Sequence, residues 1–174
     1  MNHPLHESFG LIIDNVLNGI KGIDTIKDPA CGGKHNVPLF CSEGKKSNKS
    51  EYCNVDCLIL KDKKISVIIE IEEADIKPTQ LCGKFMTSAL SNRYIYRKDE
   101  HGMAEDVLFV QIVDKSNLKK ASSKDGQWKK LEKSIKDVIP LKGSCINKYV
   151  LISIDTASIT NKDLQCVCDH LMKP

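Results

Sequence analysis

Apolar residues recur at helical spacing near the start of the chain and gather into short, nearly continuous runs further along it. The segment from Leu5 to Ile20 is apolar at every third or fourth position, which predicts an amphipathic helix. The segment Val107–Val113 is apolar except for Gln111, and it therefore predicts a strand that is covered on both faces of a sheet. The remaining predicted elements, in chain order, are a short strand around Val37–Cys41, a hairpin of Cys53–Leu60 and Ile65–Glu72, a helix from Pro78 to about Tyr96, a helix over Asp125–Ile139, a strand over Tyr149–Ile154 and a helix over Thr160–Met172.

The order of these elements predicts an α/β domain. Helices and strands alternate along the chain, and helices on both faces of a mixed central sheet give a three-layer architecture. The chain has 174 residues, of which 41% are hydrophobic and 28% charged, and this composition is globular rather than disordered. Because no internal repeat or linker-like segment divides the sequence, we expect residues 1–174 to form a single domain.

The sequence favours a reducing compartment. No apolar run approaches the roughly 20 residues of a membrane helix. The first residues also lack a basic segment followed by an apolar one, so we expect a cytoplasmic protein with no membrane partner. The eight cysteines are then reduced. A structural zinc site is the alternative to unligated thiols, because Cys31, His35, Cys41 and Cys53 lie in or beside one loop-rich stretch.

Three carboxylates are expected to meet at one end of the predicted hairpin. Glu70 and Glu72 lie two residues apart on the second strand and leave the same face, and Asp56 lies on the strand before it. Converging carboxylates repel one another, and a divalent cation relieves that repulsion. Oxygen ligands without a histidine favour Mg²⁺ or Mn²⁺ over zinc. The alternative is that the two glutamates form the solvent face of an edge strand.

The segment Val55-Asp56, followed by Glu70-Ile71-Glu72 and then a helix, resembles the active-site motif of the PD-(D/E)XK nuclease superfamily. The order of predicted elements also resembles the αβββαβ core of this restriction-endonuclease-like fold, over roughly residues 5–113. The resemblance implies that Asp56, Glu70 and Glu72 hold Mg²⁺ and activate a water for phosphodiester hydrolysis.

Two positions depart from the family pattern. Val55 replaces the proline before Asp56, and Glu72 stands where the family has a lysine, as in a Glu-x-Glu version of the motif. Either Glu72 orients or deprotonates the water, or a lysine on the following helix has taken over the missing role. The candidates for the remaining catalytic roles are Lys84 and then Lys77 for that lysine, Gln80 on the same helix, and Glu7 as a further acid, with Asp14 and Glu51 behind it. For Gln80 and Lys84 a solvated helix face is an equal alternative.

Charge is segregated along the chain, although its net value is only +3. Between Asp114 and Lys136 there are eight lysines and three acids, whereas residues 51–75 contain seven acids and three lysines. A basic segment beside an acidic metal pocket attracts a phosphate backbone, so DNA is the expected partner, with a solvated helix face as the alternative. The residues expected to contact DNA are Lys119, Lys120, Lys124, Lys129, Lys130 and Gln80. Arg93 and Arg97 on the preceding predicted helix are further candidates, with structural pairing to Asp99 or Glu100 as the alternative.

The sequence therefore favours a Mg²⁺-dependent DNA endonuclease of the restriction-enzyme type, in which a homodimer would supply the second cut. Three alternatives remain open. One is a catalytically inactive nucleic-acid-binding module of the same fold, which the departure at Glu72 favours. The others are a DNA repair or recombination nuclease with the same chemistry, and a small interaction domain stabilised by zinc on the cysteine-rich stretch.

Overall fold

A mixed β-sheet with helices on both faces forms the part of the chain that the structure describes. The computed structural model describes residues 3–41, 46–73, 76–116, 121–154 and 159–172. In these ranges the helices are α1 (Pro4–Leu17), α2 (Pro78–Ala89), α3 (Ala121–Val138) and α4 (Gln165–Leu171), and the strands are β1 (Ile23–Lys27), β2 (Val37–Phe40), β3 (Glu51–Val55), β4 (Cys57–Lys61), β5 (Lys64–Glu72), β6 (Arg93–Tyr96), β7 (Asp99–Asp114) and β8 (Ile146–Ile154).

Strand β7 joins two parts of the sheet. Its second half lies in the order β1-β4-β5-β7-β8, in which β4 is antiparallel to β1 and β5, and β5, β7 and β8 run parallel. Its first half pairs with β6, which continues through β2 to β3. Strand β5 and the second half of β7 are therefore covered on both sides and both faces, which explains their nearly continuous apolar sequences.

The helices lie in two layers, and the predicted three-layer α/β class is confirmed. Phe9 and Ile13 of α1 pack with Val67 and Ile69 in a core on one face of the sheet, which also includes α4. On the other face, α2 and α3 pack against the alternate positions of β5 and β7. Side chains of a strand alternate between faces, so Glu70 and Glu72 share the α2 face with Ile68. The predicted hairpin thus presents its two glutamates to the helix that follows it.

The helix predicted from Pro78 to about Tyr96 is too long. Helix α2 ends at Ala89, and residues 93–96 form β6, which turns through residues 97 and 98 into β7. Aromatic and β-branched side chains in this segment favour a strand, and pairing with β7 satisfies its backbone. Arg93 and Arg97 are consequently not one turn apart on a helix: the Arg93 guanidinium pairs with Glu100 at 2.8 Å, and Arg97 adopts a positive φ in the turn.

The strand predicted over Cys53–Leu60 is interrupted at Asp56. Residues before it pair with β2 and residues after it pair with β5, so Asp56 lies at the point where the chain passes between the two parts of the sheet. Strand β1 was not predicted, because its short alternating sequence lies between glycine- and proline-containing segments. The first helix ends at Leu17 rather than Ile20, and α4 begins only at Gln165.

The cysteines and the helices bear on the expected reducing compartment and on the expected lack of a membrane partner. None of the eight cysteines forms a disulfide. No helix among the described residues is both long enough and apolar enough to span a bilayer.

A close approach of α1 to the turn after β1 makes Gly10 a test of this packing. A Cβ at Gly10 would lie 2.1 Å from the carbonyl oxygen of Cys31, whereas a Cβ at Gly83 of α2 meets nothing within 4 Å. We expect Gly10→Ala to lower the free energy of unfolding by about 1–3 kcal/mol through overpacking. Gly83→Ala, the matched control in a helix, is expected to raise it by roughly 0.5–1 kcal/mol. Urea denaturation of both variants checks this, and an equal effect of the two substitutions would contradict the described packing.

Candidate metal and catalytic site

Asp56 is fixed beside the end of β5 by the break between β3 and β4. The pairing of Cys57 with Ile69 places Asp56 next to Glu70 on the neighbouring strand. The Asp56 Oδ2 atom accepts a hydrogen bond of 2.6 Å from the backbone N–H of Ile71. A carboxylate in the strand break thereby uses one oxygen to satisfy the backbone of β5, and its other oxygen remains available to side chains.

Glu70 and Glu72 are buried under the first turns of α2. Their residues are 1% and 5% exposed, and each pairs with the Lys84 ammonium group: Nζ lies 3.0 Å from Glu70 Oε2 and 2.7 Å from Glu72 Oε1. Gln80 Nε2 donates a hydrogen bond of 2.7 Å to the second oxygen of Glu72. Lys84 and Gln80 lie four residues apart and therefore project from the same face of α2.

Two buried oxygens of the site lack a hydrogen-bond partner in the described structure, and of these Glu72 Oε1 has Lys84 Nζ at 2.7 Å. Glu70 Oε1 is buried and has no hydrogen-bond partner within the described ranges of the chain. A buried carboxylate oxygen without a donor is costly unless a cation or a proton compensates it. The arrangement therefore suits a cation held between Glu70 and Asp56.

Burial and mutual contact move the pKa values of these groups in different directions. Burial raises the pKa of Glu70 well above its ordinary range, and Asp56 raises it further against the opposing charge of Lys84. Burial likewise raises the pKa of Glu72, with Lys84 opposing. Burial also raises the pKa of Asp56, but contacts with His6 and Lys84 outweigh it and the net pKa is lowered. The pKa of Lys84 is raised, because the acids around it outweigh the effect of its own burial.

His6 of α1 reaches this site from the opposite layer. Its Nε2 atom lies 3.6 Å from Asp56 Oδ1, and its Nδ1 atom lies 3.3 Å from Glu73 Oε1. Burial lowers the pKa of His6, but the contacts with the two carboxylates outweigh that effect and the net pKa is raised. His6 was missed from the sequence, although it directly adjoins the candidate Glu7. Glu73 continues the acidic run after Glu72, and from the sequence it is expected mainly as a supporting or exposed group.

The structure brings together most of the residues that the sequence singled out. Asp56, Glu70, Glu72, Lys84 and Gln80 form one connected cluster. The glutamates are buried, so an exposed face of an edge strand is excluded for them. Glu7 is exposed and lines a groove with Asp14 and Lys27, and its carboxylate makes no contact with the cluster in the described structure; the residue of α1 that does is His6.

The predicted DNA-binding lysines are only partly described. Lys119 and Lys120 lie outside the described residues, and for Lys124 the structure describes the helix but not the side chain. Lys129 and Lys130 are exposed on α3. Trp128 beside them packs with Leu81 of α2 and Val113 of β7 in a small core, so these lysines lie at the same end of the sheet as Glu72.

The zinc site suggested by the cysteine-rich stretch is not formed among the described residues. The group of potential metal ligands whose donor atoms lie within 4.8 Å of one another there is His3, His6 and Glu73, and it contains no cysteine. Burial instead raises the pKa of the Cys31 thiol, which keeps it protonated and a poor ligand. The acids Asp56, Glu70 and Glu72 do not form such a compact group in the described structure, and Lys84 Nζ contacts both glutamates.

Comparison of this chain with protein-family models, with curated proteins and with solved structures gives no match. The interpretation of the cluster therefore depends on its own geometry and chemistry.

The pKa of Glu70 gives a pH-dependent prediction for the metal-free protein. A carboxyl group with a raised pKa in the folded state favours folding below its unfolded value, and that contribution is lost as the pH rises through the folded value. Once that contribution is lost, the free energy of unfolding is lower by about 1.4 kcal/mol for each pH unit by which the folded-state pKa exceeds the unfolded-state pKa. In EDTA we therefore expect Glu70→Gln to unfold at higher temperature than the original chain, with a difference that grows from pH 5 to pH 8.

Calorimetry across this pH range measures the effect. Asp24→Asn, at an exposed carboxylate of β1, serves as the control and should give a difference that does not change with pH. If the difference in unfolding temperature between Glu70→Gln and the original chain stays constant from pH 5 to pH 8, the pKa of Glu70 is not raised in the folded protein.

Proposed function

We propose that this protein is a divalent-metal-dependent DNA endonuclease of the PD-(D/E)XK type. The observation that carries the proposal is the contact of Lys84 with Glu70 and Glu72. Lys84 on α2 thereby takes the place of the family's lysine, because the motif position for that lysine holds Glu72. The order α1, β1, β4, β5, α2 and β7 also corresponds to the αβββαβ core of that superfamily. These features favour an active nuclease over an inactive module of the same fold.

The donor set fits Mg²⁺ or Mn²⁺ bound by Asp56 and Glu70. Magnesium is commonly held by one or two carboxylates and keeps several waters, and Glu70 Oε1 is buried without a donor in the described structure. When bound, the metal lowers the pKa of a water and stabilises negative charge on phosphate oxygens.

The chain's own groups complete the site around those two carboxylates. In this proposal Glu72 accepts a proton from an attacking water through Oε1, beside the Lys84 ammonium group, while Gln80 holds its other oxygen in place. Lys84 remains protonated between the glutamates, and its ammonium group offsets the negative charge that develops on a phosphate. A nearby cation also keeps Glu72 from repelling the substrate.

The substrate is expected to approach along the N-terminal half of α3. Lys129 and Lys130 lie on this helix at the same end of the sheet as Glu72, and their charges attract a phosphate backbone past the acidic site. Lys119, Lys120 and Lys124 belong to the same basic segment of the sequence. A cytoplasmic location and a homodimer, in which each subunit cuts one strand, complete the proposal.

Plasmid cleavage tests the activity directly. With Mg²⁺ or Mn²⁺ we expect the chain to convert supercoiled plasmid to nicked or linear DNA. Asp56→Asn, Glu70→Gln and Lys84→Met should each lower the rate by at least about a hundredfold, because each removes a metal ligand or the charge-stabilising group.

Asp24→Asn and Lys64→Met are matched controls, since they remove one exposed carboxylate and one exposed ammonium group away from the site. Circular dichroism verifies that all variants fold. If the original chain binds DNA but does not cleave plasmid, linear duplex or single-stranded DNA with either metal, the protein is an inactive binding module and the proposal is wrong.

The basic helix gives a separate prediction about DNA affinity. The double substitution Lys129→Ser and Lys130→Ser should weaken binding of duplex DNA. It should also reduce the slope of log K against log salt by about 1–2, because fewer counterions are released. Lys21→Ser with Lys98→Ser removes the same charge elsewhere on the surface and serves as the control. Fluorescence anisotropy in EDTA measures both, and equal slopes for the two double variants would exclude this path to the site.

A further inference from the structure

Two histidines and a glutamate meet where the first turn of α1 contacts the end of β5. His3 Nδ1 lies 3.3 Å from Glu73 Oε2, and His6 Nδ1 lies 3.3 Å from Glu73 Oε1. His3 immediately precedes α1 and His6 lies in its first turn, and their rings meet edge to face with centroids 5.2 Å apart. The donor atoms of all three side chains lie within 4.8 Å of one another.

The position of Glu73 is fixed by backbone contacts. Its Oε1 atom accepts hydrogen bonds from the backbone N–H groups of Leu5 and His6, at the N-terminus of α1. A carboxylate at this place caps the helix and offsets its positive end. Oε1 makes the capping contacts, whereas Oε2 faces His3, so Glu73 can still bind a metal ion through Oε2.

His6 carries an observation that capping does not explain. Its side chain is nine-tenths buried, and its Nδ1 atom has no hydrogen-bond partner in the described part of the chain although it points towards Glu73. A buried ring nitrogen without a donor or acceptor of good geometry is costly. A metal ion at Nδ1 would remove that cost.

The donor atoms lie close enough together to share a transition-metal ion. Ligands bound tetrahedrally to Zn²⁺ at 2.0–2.1 Å lie about 3.3 Å apart. Each histidine Nδ1 atom lies 3.3 Å from a different carboxylate oxygen of Glu73, and one donor atom from each of the three side chains lies within 4.8 Å of the others. Imidazole nitrogens favour zinc and its neighbours over Mg²⁺, which prefers oxygen ligands. We propose that His3, His6 and Glu73 form a zinc site, separate from the magnesium site and not dependent on the nuclease activity.

Asp56 completes the surroundings of this site. A histidine that ligates a metal usually directs its other nitrogen to a carboxylate, which orients the ring and strengthens the ligand. His6 has this arrangement, with Nδ1 towards Glu73 and Nε2 3.6 Å from Asp56 Oδ1. His3 is the most exposed of the three ligands, with 42% of its side chain accessible, so the fourth position is open to water on that side. Zinc would thus fix α1 to the end of β5 and hold His6 against Asp56.

Cobalt substitution tests the site in the full chain. The protein is stripped of metal with EDTA, transferred to a chelator-free buffer with excess Mg²⁺ to occupy oxygen-ligand sites, and titrated with Co²⁺. We expect one equivalent to give the intense visible bands of tetrahedral Co²⁺, and Zn²⁺ to displace it. His3→Gln and Glu73→Gln should each weaken Co²⁺ binding by at least roughly tenfold, since even outer-shell changes cost 10–100-fold. We expect both to retain the described fold, because His3 is only partly buried and a glutamine oxygen still caps α1.

His35→Gln is the control, because it removes a histidine of the cysteine-rich stretch and should leave the titration unchanged. Tetrahedral bands that persist in both His3→Gln and Glu73→Gln would overturn the proposal. The absence of such bands in the original chain would do so as well. Loss of the bands in Glu70→Gln but not in His3→Gln would place the ion in the acidic site instead and would also overturn it.

Discussion

The pairing of Lys84 with Glu70 and Glu72 is the interaction on which the candidate site depends. Glu70 and Glu72 are buried beside Asp56. The three carboxylates cannot all remain charged without a compensating cation, because burial removes their hydration. Lys84 provides that cation and ties α2 to β5. Because the charge of Lys84 balances much of the cluster, the metal ion of the proposed function would need only Asp56 and Glu70 as protein ligands. Glu72 is instead held by Lys84 and Gln80.

The sheet determines which acids can meet. Alternation along β5 sends Ile71 into the α1 layer and Glu70 and Glu72 towards α2. Because β5 is covered on both faces, its acids are not surface charges and must be paired within the protein. Asp56 reaches them only because the chain leaves one part of the sheet and enters the other at that residue.

The local part of this arrangement could be predicted from the sequence, and the long-range part could not. Period-two alternation and the turn after β4 were sufficient to place Glu70 and Glu72 on one face near Asp56. Lys84 was one of two candidate lysines, and only the packing of α2 on β5 selects it. The sequence favoured Glu7 over His6 because an acid was expected on the first helix. Residue type alone does not tell which side of that helix faces the site. The rotation of the helix is set by the core contacts of α1, which direct His6 inward and leave Glu7 exposed.

Asp56 links the sheet to the helix layer that contains α1. One of its oxygens accepts a hydrogen bond from the backbone N–H of Ile71 in β5, and the other faces His6 on α1. Burial, and then the charge of Asp56, raise the pKa of its neighbour Glu70, whereas contacts with His6 and Lys84 outweigh burial at Asp56 and lower its pKa. Adjacent groups whose pKa values are driven apart are suited to different roles: the surroundings of Asp56 favour its ionised form, whereas burial disfavours the ionised form of Glu70. The cation of the proposed function would therefore meet an ionised Asp56 and would lower the pKa of Glu70 on binding, because a positive charge favours the ionised carboxylate.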